Sequence, residues 1–147
     1  MISLLEAKTE TSFVYHGTDD GKIKVLEPYH SDLVNTDAVF AAKLFDVAVA
    51  MANHWSDDDF DFGKTENENI LKYQPYVFKE KQKGNFKKFF STPIFVYLLD
   101  SKNFESKPQL QEFEVISTKK ITPFKVIKIE NPLEFLKNSY IIKVVEK

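Results

Sequence analysis

The sequence predicts a mixed α+β fold weighted to β-structure in its second half, on three observations. Residues 44–55 place Leu44, Ala48, Met51 and Trp55 at i, i+4, i+7 and i+11, the spacing of one helical face, in an alanine-rich stretch. From residue 70 onwards, short runs of aromatic and β-branched residues recur between Gly, Pro, Asn and Asp. No repeat and no low-complexity segment divides the chain, and 147 residues correspond to one domain, taken as residues 1–147.

In chain order, residues 11–18 (Thr-Ser-Phe-Val-Tyr-His-Gly-Thr) read as a strand stopped by Gly17, and Asp19-Asp20-Gly21 as a turn. Residues 23–26 are a short strand or helical turn before Pro28, and the polar residues 30–37 a loop. Ala38-Val39-Phe40-Ala41 is a short apolar strand leading into the helix at 44–55. The acidic stretch Ser56–Asn69 reads as a long loop, of the kind that is functional or mobile in a compact domain. Strands are then expected at 70–73, 76–78, 94–99, 113–117, 124–129 and 140–145. Pro132 at the head of 132–137 starts one or two helical turns.

Composition narrows the chemistry. With 43% hydrophobic and 29% charged residues the chain is of globular type, and 14 Phe with 6 Tyr make its core aromatic. It has no cysteine, which excludes disulfides, thiol catalysis, zinc ribbons and iron–sulfur clusters. The longest apolar run, residues 47–52, is far short of the about 20 residues that cross a bilayer. The N-terminus lacks the pattern of a signal peptide, so the expectation is a cytoplasmic protein with no membrane contact.

The net charge of −2 conceals a polarity. Residues 1–62 hold 4 Lys against 12 acids, residues 63–147 hold 16 Lys against 10, giving −8 and +6. Such a division steers anionic ligands towards the second half or is simply a solvated surface. All 20 basic residues are lysine. Without arginine there is no bidentate guanidinium fork for phosphate, carboxylate or guanine.

Four pieces carry the functional signal: Tyr15-His16-Gly17-Thr18 at a strand end, Val39-Phe40-Ala41-Ala42 running into the alanine-rich helix, the strong strand at 94–100, and Glu112-Phe113-Glu114-Val115-Ile116-Ser117 followed by Pro123. Together they resemble the ADP-ribosyltransferase fold in its His-Tyr-Glu branch, which includes diphtheria toxin and the poly(ADP-ribose) polymerases. That branch opens with an aromatic-His-Gly-Ser/Thr strand, continues with Tyr-Phe-Ala before a small-residue helix, and places a glutamate on a later strand. Small bacterial and phage proteins with a late Glu-x-x-Ser segment followed by Pro are similar too, and Glu114, Ser117 and Pro123 match that spacing. The resemblance spans roughly residues 13–130, and its motifs cover far less.

The resemblance implies a split mixed sheet with few helices, and transfer of ADP-ribose from NAD to a macromolecule with release of nicotinamide. It implies Glu114, or else Glu112, as the carboxylate that stabilises an oxocarbenium-like transition state. His16 would bond the adenosine ribose, Gly17 would let the backbone approach the nicotinamide amide, and Tyr15 or Phe40 would stack on the nicotinamide ring. Thr18 completes the motif. NAD is the substrate, and no metal is expected. Two departures stand out: Phe40 occupies the second-motif tyrosine position without its hydroxyl, and only lysine can meet the pyrophosphate. The acceptor, protein or nucleic acid, is not specified. Ser56–Asn69 and Lys79–Lys88 are candidate recognition surfaces.

Other readings compete. A non-catalytic module of the same fold would bind an NAD-derived nucleotide or a protein partner, for instance in a phage acting on its host. A nucleic-acid-binding domain would rest on Lys79–Lys88, whose lysines interleave with Phe78, Phe86, Phe89 and Phe90. Glu112 and Glu114 also flank Phe113 as in any half-exposed strand. Asp57, Asp59, Asp61 and Glu68 have calcium-loop spacing, but Phe62 stands where the sharp turn requires glycine, so a solvated acidic loop is expected there. His16, His30 and His54 lack metal-ligand spacing.

Overall fold

The run Ile-Phe-Val-Tyr-Leu-Leu-Asp has no polar face, and in the fold it becomes a strand covered on both sides. The structure, a computed structural model, describes residues 12–53, 55–64 and 76–145. In it β6 (Ile94–Asp100) lies between β1 (Phe13–Thr18) and β8 (Lys125–Ile129), antiparallel to both. Ile94 and Val96 enter one core, Tyr97 and Leu99 the other, as the two-residue period of a strand requires.

β1 continues outward to β3 (Thr36–Ala42), which pairs with β2 (Tyr29–Ser31) and β7 (Glu114–Ser117). The sheet therefore has six strands, ordered β2-β3-β1-β6-β8 with β7 added on β3. A second sheet, ordered β4-β5-β9, joins β4 (Phe60–Lys64) antiparallel to β5 (Tyr76–Glu80), and β9 (Ile141–Lys143) parallel to β5. Three short helices accompany the described strands: α1 (Phe45–Ala50), α2 (Asn85–Phe90) and α3 (Pro132–Ser139). The mixed α+β class, β-rich with few helices, is thus the one expected.

The larger core holds α1, residues of α2 and α3, and one face of each sheet. Phe60 sits fully buried at its centre, with ring centroids of Phe78, Phe86, Trp55 and Phe90 at 4.8, 4.9, 5.2 and 5.9 Å. Aromatic pairs at this range add about 0.5–1.5 kcal/mol each beyond the area they bury. On the opposite face of the large sheet a smaller core gathers Val14, Val39, Tyr97, Leu99 and Ile121. Tyr97 also ties the 19–23 turn to the sheet, donating its hydroxyl to the Asp20 carbonyl (2.7 Å) and accepting the Ile23 amide (3.1 Å).

Several expectations are corrected. The helix expected over 44–55 is only six residues long, and its buried side is Val47-Ala48-Val49-Ala50 rather than the stripe of Leu44, Ala48, Met51 and Trp55. Leu44 and Met51 are exposed, because this helix is enclosed by β1, β3, β6 and α3 and has no single apolar face. Within Ser56–Asn69, Phe60–Lys64 is a strand, since Phe60 and Phe62 reach into the aromatic core; residues 65–69 lie outside the described part, as does the strand expected at 70–73. Residues 30–37 hold the β2–β3 hairpin in place of a loop, and residues 23–26 make a single bridge, Leu26 to Ile121. The loop half of Lys79–Lys88 runs into α2.

Candidate active site in the split between β1 and β3

β1 and β3 pair only at Tyr15 and Ala42. Beyond that pair β3 turns to β2, and the two strands diverge. Where the ladder opens, the His16 ring replaces the missing backbone donor: Nδ1 donates to the Phe40 carbonyl at 2.8 Å. A carbonyl only accepts, so this bond puts a proton on Nδ1; in the neutral ring Nε2 is then the acceptor.

The gap is a cavity of about 150 Å³ lined by residues from five elements. Tyr15, His16 and Gly17 come from β1, Phe40 and Ala42 from β3, Ala48 from α1, Tyr29 from β2 and Glu114 from β7. Ala42 is the hub. It pairs with Tyr15 on one edge and Glu114 on the other, so those two residues share a sheet face about 10 Å apart, two strand spacings.

Each lining residue is held for a separate reason. Gly17 lies against α1 so closely that a Cβ there would meet the Ala48 carbonyl oxygen at 2.0 Å and the Ala52 Cβ at 3.2 Å. Glycine is therefore required here by the helix beneath it as well as by any ligand above. The Tyr15 ring packs edge-on against Phe45 at 5.6 Å, and partial burial raises its hydroxyl pKa. Phe40 faces Tyr29, ring centroids 6.5 Å apart. The half-buried Glu114 accepts the Gln111 amide at 3.1 Å on Oε1, and its own amide donates to the Gln111 carbonyl at 3.0 Å. That turn fixes the carboxylate at the start of β7.

Five of the anticipated residues, Tyr15, His16, Gly17, Phe40 and Glu114, are thus brought together. Thr18 is not among the cavity residues: it is buried, and its hydroxyl accepts the Asp20 amide at 3.2 Å, holding the turn after β1. Glu112 is exposed before β7 and lines a neighbouring groove with Lys43, Leu44 and Phe113, which separates it from Glu114. Tyr29 was not anticipated. It is 59% exposed yet lines the cavity, and the only hint in the sequence is an aromatic residue directly after Pro28.

The candidate recognition segments separate as well. Phe78, Phe86 and Phe90 are core residues, so they present no stacking faces; only Phe89 is half-buried, with the Lys88 ammonium 5.4 Å above its ring. In the acidic stretch Asp59 caps Ser56, and Asp61 pairs with Lys81 at 3.5 Å. Among the described residues no cluster of His, Asp and Glu could hold a metal ion, and no helix is long and apolar enough to cross a membrane. No protein-family model, curated protein or solved structure matches this chain.

Proposed function

We propose that the chain is an NAD-dependent ADP-ribosyltransferase whose nicotinamide subsite is the split between β1 and β3. The observation that carries this reading is the convergence of Tyr15, His16, Gly17, Phe40 and Glu114, from three separate stretches of sequence, on one cavity. A space of about 150 Å³ suits one six-membered aromatic ring, as a cavity of that size accommodates benzene. Phe40 and Tyr29 supply aromatic faces to cover it, and the half-open cavity leaves the rest of the dinucleotide along the surface.

In the proposed reaction the glycosidic C–N bond breaks and nicotinamide leaves with the bonding pair. Glu114 stabilises the positive charge that develops on the ribose, and an acceptor nucleophile then attacks C1 and gives up its proton. His16, with Nδ1 held by the Phe40 carbonyl, orients the dinucleotide at a ribose hydroxyl. Phe40 contributes stacking without the hydroxyl of the usual tyrosine.

Release of nicotinamide from NAD tests the assignment. The wild type is expected to release it, and Glu114→Gln to lower the rate by at least 10²-fold with little change in NAD affinity, since the carboxylate acts on a charge present only in the transition state. Glu112→Gln is expected to leave the rate within about two-fold. Equal effects of the two substitutions would contradict the assignment. Binding without turnover, in the presence of candidate acceptors, would instead favour a nucleotide-binding module.

A further inference from the structure

A second cavity, of about 250 Å³, lies between α2, α3 and the β9 end of the small sheet. Its walls are apolar: Phe86, Leu133, Ile142 and Val144, the last left 58% exposed. Three exposed lysines line it as well. Lys83 and Lys87 lie on either side of the Gly84 turn that opens α2, and Lys137 stands four beyond Leu133 on α3, which places those two on one side of that helix. None of the three makes an ion pair among the described residues, whereas Lys81, Lys107, Lys120 and Lys128 all do.

The one acid in the lining, Glu80, is already satisfied. Its carboxylate accepts the amides of Val145 (2.9 Å), Phe86 (3.1 Å) and Gly84 (3.3 Å) and is almost fully buried. The lining therefore carries three ammonium groups against one carboxylate that backbone amides already hold, a net positive wall around an apolar cavity. The volume is just under the about 300–1,000 Å³ of sites for drug-sized molecules.

We propose that this cavity binds a single-chain amphipathic anion, with its alkyl chain against Phe86, Leu133 and Ile142 and its carboxylate among Lys83, Lys87 and Lys137. The match is one of apolar wall to alkyl chain and cationic mouth to anionic head. It is independent of the NAD site, with which it shares no residue.

Titration with sodium octanoate, followed by amide chemical shifts and calorimetry, tests it against octylamine and octanol as chains of equal length. Octanoate is expected to shift the amides of Phe86, Ile142 and Val144, and to bind at least ten-fold tighter than octylamine. Replacing Lys83, Lys87 and Lys137 together by Gln is expected to weaken octanoate about ten-fold, the combined effect of three exposed ion pairs, with the circular dichroism spectrum unchanged. Equal binding of the amine or the alcohol, an unchanged affinity in the triple variant, or shifts confined to other residues would overturn the proposal. So would binding to phosphatidylglycerol vesicles with none to free octanoate, which would assign the lysines to a membrane surface.

Discussion

Gly17 and Glu80 show how single residues govern this molecule. At Gly17 a methyl group would overlap the backbone carbonyl of Ala48, and a helix backbone cannot yield as a flexible side chain can. Gly17→Ala is expected to cost about 3 kcal/mol or more, the upper end of overpacking, read as a lowered denaturation midpoint. A variant as stable as the wild type would contradict the packing of α1 on β1. At Glu80, burial alone would raise the carboxyl pKa, but the amides of Val145, Phe86, Gly84 and Asn85 outweigh it and hold the value below the ordinary 4.5. A lowered folded-state pKa stabilises the protein fully above the ordinary glutamate value, and that stability is lost as pH falls from there through the lower folded-state value. Glu80→Gln is expected to cost about 3 kcal/mol at pH 7 and to lessen the loss of stability as pH falls below the ordinary glutamate value, in denaturant titrations across pH. Of these two residues, only Gly17 could be read from the sequence, because it sits in a local motif. Nothing near Glu80 announces that its partners come from residues 84–86 and 145.

At the scale of elements, legibility followed how local the cause was. β6 was plain because seven consecutive residues are apolar or end the strand, whatever surrounds them. α3 was plain because Pro132 opens it, and Asn131 caps it by accepting the Glu134 amide at 3.2 Å. The extent of α1 was not, since its neighbours cover it all round and no apolar stripe marks its buried side. β2 was hidden for a similar reason: Tyr29-His30-Ser31 is polar and forms a strand only by pairing with β3. The hairpin between them turns at Asn35, whose φ of 54° lies in the left-handed region. Asn35→Val is expected to destabilise by about 1–2 kcal/mol, while Asn35→Gly keeps stability within about 0.5 kcal/mol, both measured by thermal unfolding. Because the hairpin carries Tyr29, the valine variant is also expected to weaken nucleotide binding; equal stability of the two variants would contradict the turn.

Across the whole molecule, a single irregularity of the large sheet accounts for the proposed function. β1 and β3 meet at one pair and part, with the His16 ring spanning the opening to the Phe40 carbonyl and β7 bringing Glu114 to the far edge of Ala42. The sequence motifs named most of this site, since Tyr15-His16-Gly17 and Phe40-Ala41 are contiguous. The sequence could not choose between Glu112 and Glu114, because where β7 begins is set by its pairing with β3: Glu114 opens the strand opposite Ala42 and Glu112 lies before it. The charge division has a parallel here, for the acidic first half supplies much of the cavity and the basic second half supplies the lysine-lined one. Calorimetric titration of NAD into the wild type and His16→Ala, with folding of the variant checked by its melting curve, tests the central assignment most directly. Saturable binding by the wild type, weakened at least ten-fold in the folded variant, is the expected result. No binding by the wild type, or equal binding by both, would contradict a nucleotide site in the split between β1 and β3.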